Sequence, residues 1–159
     1  MIRDLKNGMF DTTEGIIDFP LFNKEIHICI QKNVKMEYAE KCVAYLHELP
    51  QTTIEQFCEG AIEYCEDFRE KFEDEGLDIQ ECTEPRQILQ YIQPSNMEIE
   101  LPEDEAIVAF RLNFACDWES EHAMECILLG DDILYVGAVR CISPWDDVFE
   151  IKNLAGNYA

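Results

Sequence analysis

Positive charge is scarce in this sequence: 12 Lys+Arg stand against 34 Asp+Glu, a formal net charge of −22 in 159 residues. A surface so negative repels phosphate backbones and anionic lipid, which excludes direct nucleic-acid binding and membrane-surface binding. Long apolar runs are also missing. The longest, Ile133 to Val139, is far too short to span a bilayer. Met1 to Phe10 contain Arg3, Asp4 and Lys6 and no apolar h-region, so no export signal is expected and the compartment read from the sequence is the cytoplasm. Glycine and proline are sparse, at 7 and 6, and no linker, low-complexity tract or repeat divides the chain. Residues 1–159 therefore read as a single acidic domain.

Cysteine is not lacking, but its spacing is uninformative for metals or redox motifs. None of the eight cysteines forms a C-x-x-C pair. Cys42, Cys58 and Cys65 fall in the apolar phase of helical segments, where reduced thiols act as small buried hydrophobes. P-loop, G-x-G-x-x-G, G-x-S-x-G, H-E-x-x-H and calcium-loop patterns are all absent, so neither a cofactor nor a metal site is expected.

The 47% hydrophobic content supports a real core, and its periodicity gives an element order. Gly15 to Ile30 predicts one or two strands, with Ile26, Ile28 and Ile30 alternating against polar neighbours. Met36 to Leu49 predicts a helix ended by Pro50. A longer helix follows, with Thr52 and Glu55 as a capping box, Gly76 as its C′ residue, and a stripe from Ile54 through Phe57, Ala61 and Cys65 to Phe72. Thr83 is expected to cap a short helix through Ile88 and Ile92, stopped by Pro94. Strand patterns then take over: Met97 to Leu101, Val108 to Cys116, Met124 to Leu129 and Ile133 to Val139. The last two flank a Gly130-Asp131-Asp132 turn and are apolar on both faces, so that part of the sheet should be covered on both sides. Strands, helices, then strands predict an α+β fold: an antiparallel sheet with two or three helices packed on one side.

Charge is distributed unevenly. Residues 1–50 hold 8 acids and 6 bases, whereas 51–159 hold 26 and 6. The second helix repeats like charges at i,i+4: Glu55–Glu59, Glu59–Glu63, Glu63–Asp67, Glu66–Glu70 and Glu70–Asp74. Each such pair weakens an isolated helix, so helix stability does not account for the pattern. Three readings compete for it: a solvated face that confers solubility, a surface that meets a basic partner, and a metal site. The partner-binding reading assigns Glu55, Glu59, Glu63, Glu66, Asp67, Glu70 and Asp74 to the interface.

One further run concentrates chemistry: Cys116-Asp117-Trp118-Glu119-Ser120-Glu121-His122, at the end of a predicted strand. Cys116 with His122 would suit a nucleophile and its base, and with a carboxylate they would suit a metal. The structural alternative is a strand-to-turn corner in which Cys116 and Trp118 are buried while Asp117, Glu121 and His122 shape the turn. It is the preferred reading, and no catalytic residue is assigned. Trp145 is expected to anchor a second packed turn at Ser143 to Asp147.

The pattern F-x-C-x-W-x-x-E-H from Phe114 to His122, followed by the Gly-Asp hairpin and Tyr135-Val136-Gly137, resembles a group of uncharacterised bacterial domains. The resemblance runs from about Phe22 to Trp145, and Ala123 stands where the group usually has glycine. It implies a small acidic cytosolic protein, similar in style to toxin-immunity proteins. The expected function is therefore an immunity-type (antitoxin) protein that occludes a basic toxin domain such as a nuclease. The alternatives are a nucleic-acid mimic that inhibits a DNA-binding protein, or a domain whose acidity only confers solubility. No enzymatic activity is expected.

Overall fold

The computed structural model describes residues 1–72 and 79–159. Seven strands lie in one sheet in sequence order: β1 Arg3–Asn7, β2 Thr13–Phe19, β3 Lys24–Ile30, β4 Ile92–Ile99, β5 Ala109–Cys116, β6 Glu119–Leu129 and β7 Asp132–Ala138. Every neighbouring pair is antiparallel except β3 and β4, which run parallel with His27 opposite Asn96 and Ile30 opposite Ile99. A parallel join needs a long crossover. Here the crossover contains α1 (Met36–His47), α2 (Gln51–Lys71) and a 3-10 helix, Pro85–Tyr91. All three pack on one face of the sheet, so the fold is α+β with a mostly antiparallel sheet.

The core follows from strand parity. Ile17, Phe19, Ile26, Ile28, Ile30, Met97, Phe110, Leu112, Phe114 and Met124 point to the helical side and are buried. The helices answer with Ala39, Cys42, Val43 and Leu46 from α1 and Ile54, Phe57, Cys58, Ala61 and Cys65 from α2. Phe57 stacks on Phe114 with ring centroids 5.1 Å apart.

On the opposite face, a short helix α3 (Val148–Lys152) covers the β6–β7 end through Ile151, which packs on Ile127, Leu134 and Tyr135. A bulge makes this possible. Ile127 pairs with Tyr135 and Leu128 with Ile133, so Leu134 is the extra residue and two successive side chains turn to the same side. The double apolar face read from the sequence is thereby covered from both sides. The β6–β7 turn is the two residues Gly130-Asp131, with Gly130 at φ +61°.

Several local expectations need correction. The N-cap of α2 is Pro50, with no side-chain cap bond; Gln51 instead donates to Glu55, so Thr52 and Glu55 form no capping box. The expected C′ residue Gly76 lies outside the described residues. The capping box belongs to the 3-10 helix, between Glu84 and Gln87. Ile92 and Pro94 belong to β4, where a register shift beside Pro94 accommodates the missing N–H. Leu101 is exposed beyond the end of that strand. β1 and α3 have no counterpart in the sequence reading.

The two edges of the sheet end differently. At β7 the chain returns: Tyr158 N–H donates to Val136 O (2.9 Å), and the Asn157 side chain donates to Leu134 O and accepts from Val136 N–H. These bonds occupy the free groups of the edge. At β1 the strand is exposed throughout and bulged, with Asp4 at φ 54°. No helix among the described residues is long and apolar enough to cross a membrane.

Candidate functional site

Burying the apolar stripe of α2 against the sheet turns its other side to solvent. Glu55, Glu59, Glu63, Glu66 and Glu70 are exposed and Asp67 is half-buried; Asp74 lies outside the described residues. The structure thus places six of the seven expected partner-binding acids along one helix. Among the described residues, only Asp67 of the six has a cation within ion-pair distance, Lys71 Nζ at 2.8 Å.

The cations that might neutralise the face are engaged elsewhere. Arg3 pairs with Asp18 and Glu25, Lys6 with Glu14, Lys32 with Asp11, and Lys35 with Glu105. Lys41 donates to two backbone carbonyls, Arg69 to Ile79 O, and Arg86 to the Gln51 side chain. The β1–β3 side of the molecule is therefore a mesh of local ion pairs, whereas on α2 Asp67 is the one acid of the six that is ion-paired among the described residues.

A groove runs beside this row, between Glu63, Glu66, Asp67 and Glu70 of α2 and the C-terminal segment Gly156–Tyr158. Tyr158 stacks on Tyr64 (5.1 Å) and donates its hydroxyl to Asp67 Oδ2, the oxygen that Lys71 also reaches. The Lys71 and Tyr158 bonds hold the Asp67 carboxyl below the ordinary carboxylate range. Sequence reading missed Tyr158, Asn157 and Lys71 as parts of this surface. Lys71 stands four residues after Asp67 on the same helix, but nothing in the sequence marks a terminal tyrosine as a neighbour of α2.

The Cys116–His122 run spans the end of β5, the tight β5–β6 turn and the start of β6, so Glu121 and His122, expected to shape the turn, lie instead on the strand that follows it. Cys116 pairs with Glu119 across the two-residue loop Asp117-Trp118. Cys116 is buried, and burial pushes its thiol up to about 12; its Sγ contacts Glu119 O at 3.9 Å. Trp118 is 1% exposed and packs edge-on to Tyr64 of α2 at 5.7 Å. Asp117 and Glu121 are exposed. His122 is exposed too, and its Nδ1 lies 3.2 Å from Glu119 Oε2 rather than at the thiol. Burial alone would raise the Glu119 carboxyl, but the N–H of Glu121 and the ring and N–H of His122 outweigh it and hold it low. Glu119 is thus the organiser of this turn, a role the sequence reading had given to its neighbours. Trp145 is half-buried in the Ser143–Asp146 turn, its backbone N–H donating to Ser143 Oγ, and Asp147 caps α3.

A second charged group lies on the face of the sheet away from α1 and α2. Arg111 of β5 meets Glu98, Glu100 and Glu125, which lie on β4, just after it and on β6. Glu125 is 1% exposed; its Oε2 accepts from the N–H groups of Arg140 and Cys141 at 2.8 and 3.2 Å. Arg111 donates to Ile142 O, and Ser143 Oγ to Glu100. Burial raises the Glu125 carboxyl, while the Arg140 N–H, Arg111 and the Cys141 N–H oppose the rise. This cluster latches residues 140–143 to the sheet. Among the described residues, no group of three or more His, Cys, Asp or Glu side chains is arranged to hold a metal ion.

Fold and surface define a class: a one-sheet α+β domain that exposes an acidic helix. Residues 2–143 match the family described as domain of unknown function (DUF6985), and the chain belongs to that family. The match stops short of Trp145, α3 and Tyr158. No curated protein and no solved structure matches the chain.

Proposed function

We propose that this protein is an immunity-type inhibitor that docks a basic toxin domain on the outer face of α2 and covers its active site. The observation that carries the reading is the row Glu55, Glu59, Glu63, Glu66 and Glu70, exposed and without a cation at ion-pair distance among the described residues, while most basic side chains are tied up elsewhere. Free carboxylates in a row cost a helix stability and speed association with a cationic surface, an effect that salt weakens. A nuclease supplies such a surface, because it needs Lys and Arg to hold phosphate. The inhibitor itself then needs no chemistry. The Gly156–Tyr158 wall of the groove extends the interface beyond the helix.

The test immobilises the wild-type chain and the Glu59→Lys/Glu63→Lys/Glu66→Lys/Glu70→Lys variant and captures partners from the source cells at low and moderate salt. The expected result is one basic protein retained by the wild type at moderate salt, lost by the variant, and inhibited by stoichiometric wild-type protein once purified. Equal capture by the variant would remove the face from the interface. A spread of DNA-binding proteins that washes off with salt would instead favour generic charge or nucleic-acid mimicry.

A further inference from the structure

α2 carries a cysteine, Cys65, and the segment that leads into the 3-10 helix carries another, Cys82. Both Cys65 and Cys82 line one narrow cleft, with Ile62, Arg69, Ile79 and Ile88 completing its walls. The segment just before Cys82 is held at two points: Arg69 of α2 donates to Ile79 O (2.6 Å), and Gln80 N–H donates to Tyr91 OH of the 3-10 helix (3.2 Å). The two sulfurs differ in access, since Cys82 is half-buried and Cys65 is 3% exposed. Burial pushes both thiols up, and Arg69 opposes the rise at each.

We propose that Cys65 and Cys82 are a redox-reversible pair, with Cys82 the attacking thiol and Cys65 the resolving one, closed by exchange with a small oxidised disulfide. In the first step the Cys82 thiol loses its proton to solvent and its sulfur attacks one sulfur of oxidised glutathione, expelling one glutathione thiolate. In the second step Cys65 loses its proton and attacks the Cys82 sulfur of the mixed disulfide, expelling the second. The protein gives up two electrons and two protons, and two molecules of glutathione are formed. Burial pushes Cys65 up to about 11, which makes the second step slow at neutral pH and faster as pH rises. The resulting loop encloses Glu66, Asp67 and Glu70, so oxidation marks the C-terminal part of the acidic row. The pairing itself stands independently of the proposed binding role.

Cys58 is the competitor, because it too is close enough to feel charge on Cys82. The test treats the full-length folded protein with oxidised glutathione and maps its peptides without reduction. The expected product is a Cys65–Cys82 link that dithiothreitol reverses and that forms faster at higher pH. In the Cys65→Ser variant a glutathione adduct on Cys82 should persist, and the Cys58→Ser variant should close as the wild type does. A persistent adduct on Cys82 in the wild type, a Cys58–Cys82 link, or reaction confined to Cys141 and Cys29 would each overturn the proposal.

Discussion

Replacing Arg111 by Met tests the charged latch with a defined magnitude and sign. The substitution keeps a long side chain on β5 and removes the guanidinium that faces Glu98, Glu100 and Glu125. Glu98 and Glu100, with side chains 31% and 23% exposed, can recruit water. Glu125 cannot: it is 1% exposed and keeps only the two N–H bonds to its Oε2. Breaking a buried pair by removing one partner costs about 3–5 kcal/mol, and the hydration open to two of the three acids lowers the expectation to about 2–4 kcal/mol. That is a large share of a stability of about 5–15 kcal/mol.

The loss should depend on pH. The folded-state pKa of Glu125 already lies above its unfolded value, so the native protein binds this proton more tightly. The contribution of Glu125 to stability therefore falls as pH rises through its folded pKa. Removing Arg111 takes away an interaction that lowers this pKa and widens the window. Urea unfolding should accordingly show the larger deficit at pH 8 and a smaller one near pH 5. Adding Glu125→Gln to the variant should restore much of the loss at pH 8. A deficit below about 1 kcal/mol, one equal at both pH values, or no rescue by the double variant would refute the assignment of Glu125 as the dependent charge.

Three other outcomes follow from the packing. Trp118→Ala should cost about 3–5 kcal/mol, read as a lowered urea midpoint, because the ring is buried against Tyr64. Gly137→Ala would set a methyl 2.4 Å from Gly156 O and 2.9 Å from the Tyr135 hydroxyl, so it should displace the C-terminal segment; faster hydrogen exchange at the Tyr158 amide is the measurement. Tyr158→Phe removes a hydrogen bond that helps to lower Asp67, so carbon NMR titration should show that carboxyl moving up toward its ordinary value.

Elements with a strong period were legible in the sequence. α1 and α2, β2 and β3, and the β6–β7 hairpin follow directly from apolar spacing and from the Gly130-Asp131 turn. β1 was not, because Arg3–Asn7 is exposed throughout and its side chains do not alternate between a wet and a dry face. α3 has five residues, too few for a helical stripe. Ile92 and Pro94 misled because a proline after apolar residues signals a helix end, whereas a strand bulge accepts it equally well. Most of the acidic row was visible because a helix face is a local pattern. Tyr158 and the Arg111 cluster were not, since their members come from strands and turns that only the sheet brings together.

The parallel join between β3 and β4 also has a kinetic meaning. On either side of it lies a meander whose strands pair with near neighbours in the chain, β1–β3 and β4–β7, and each can assemble from short loops. The join brings His27 beside Asn96 and must wait for the whole α1–α2 excursion to be drawn in. Folding should therefore be limited by closing this seam. Weakening Ile28 or Met97, which meet across it, would slow the approach to the native state, whereas trimming Ile133 in the distal hairpin would mainly hasten its loss.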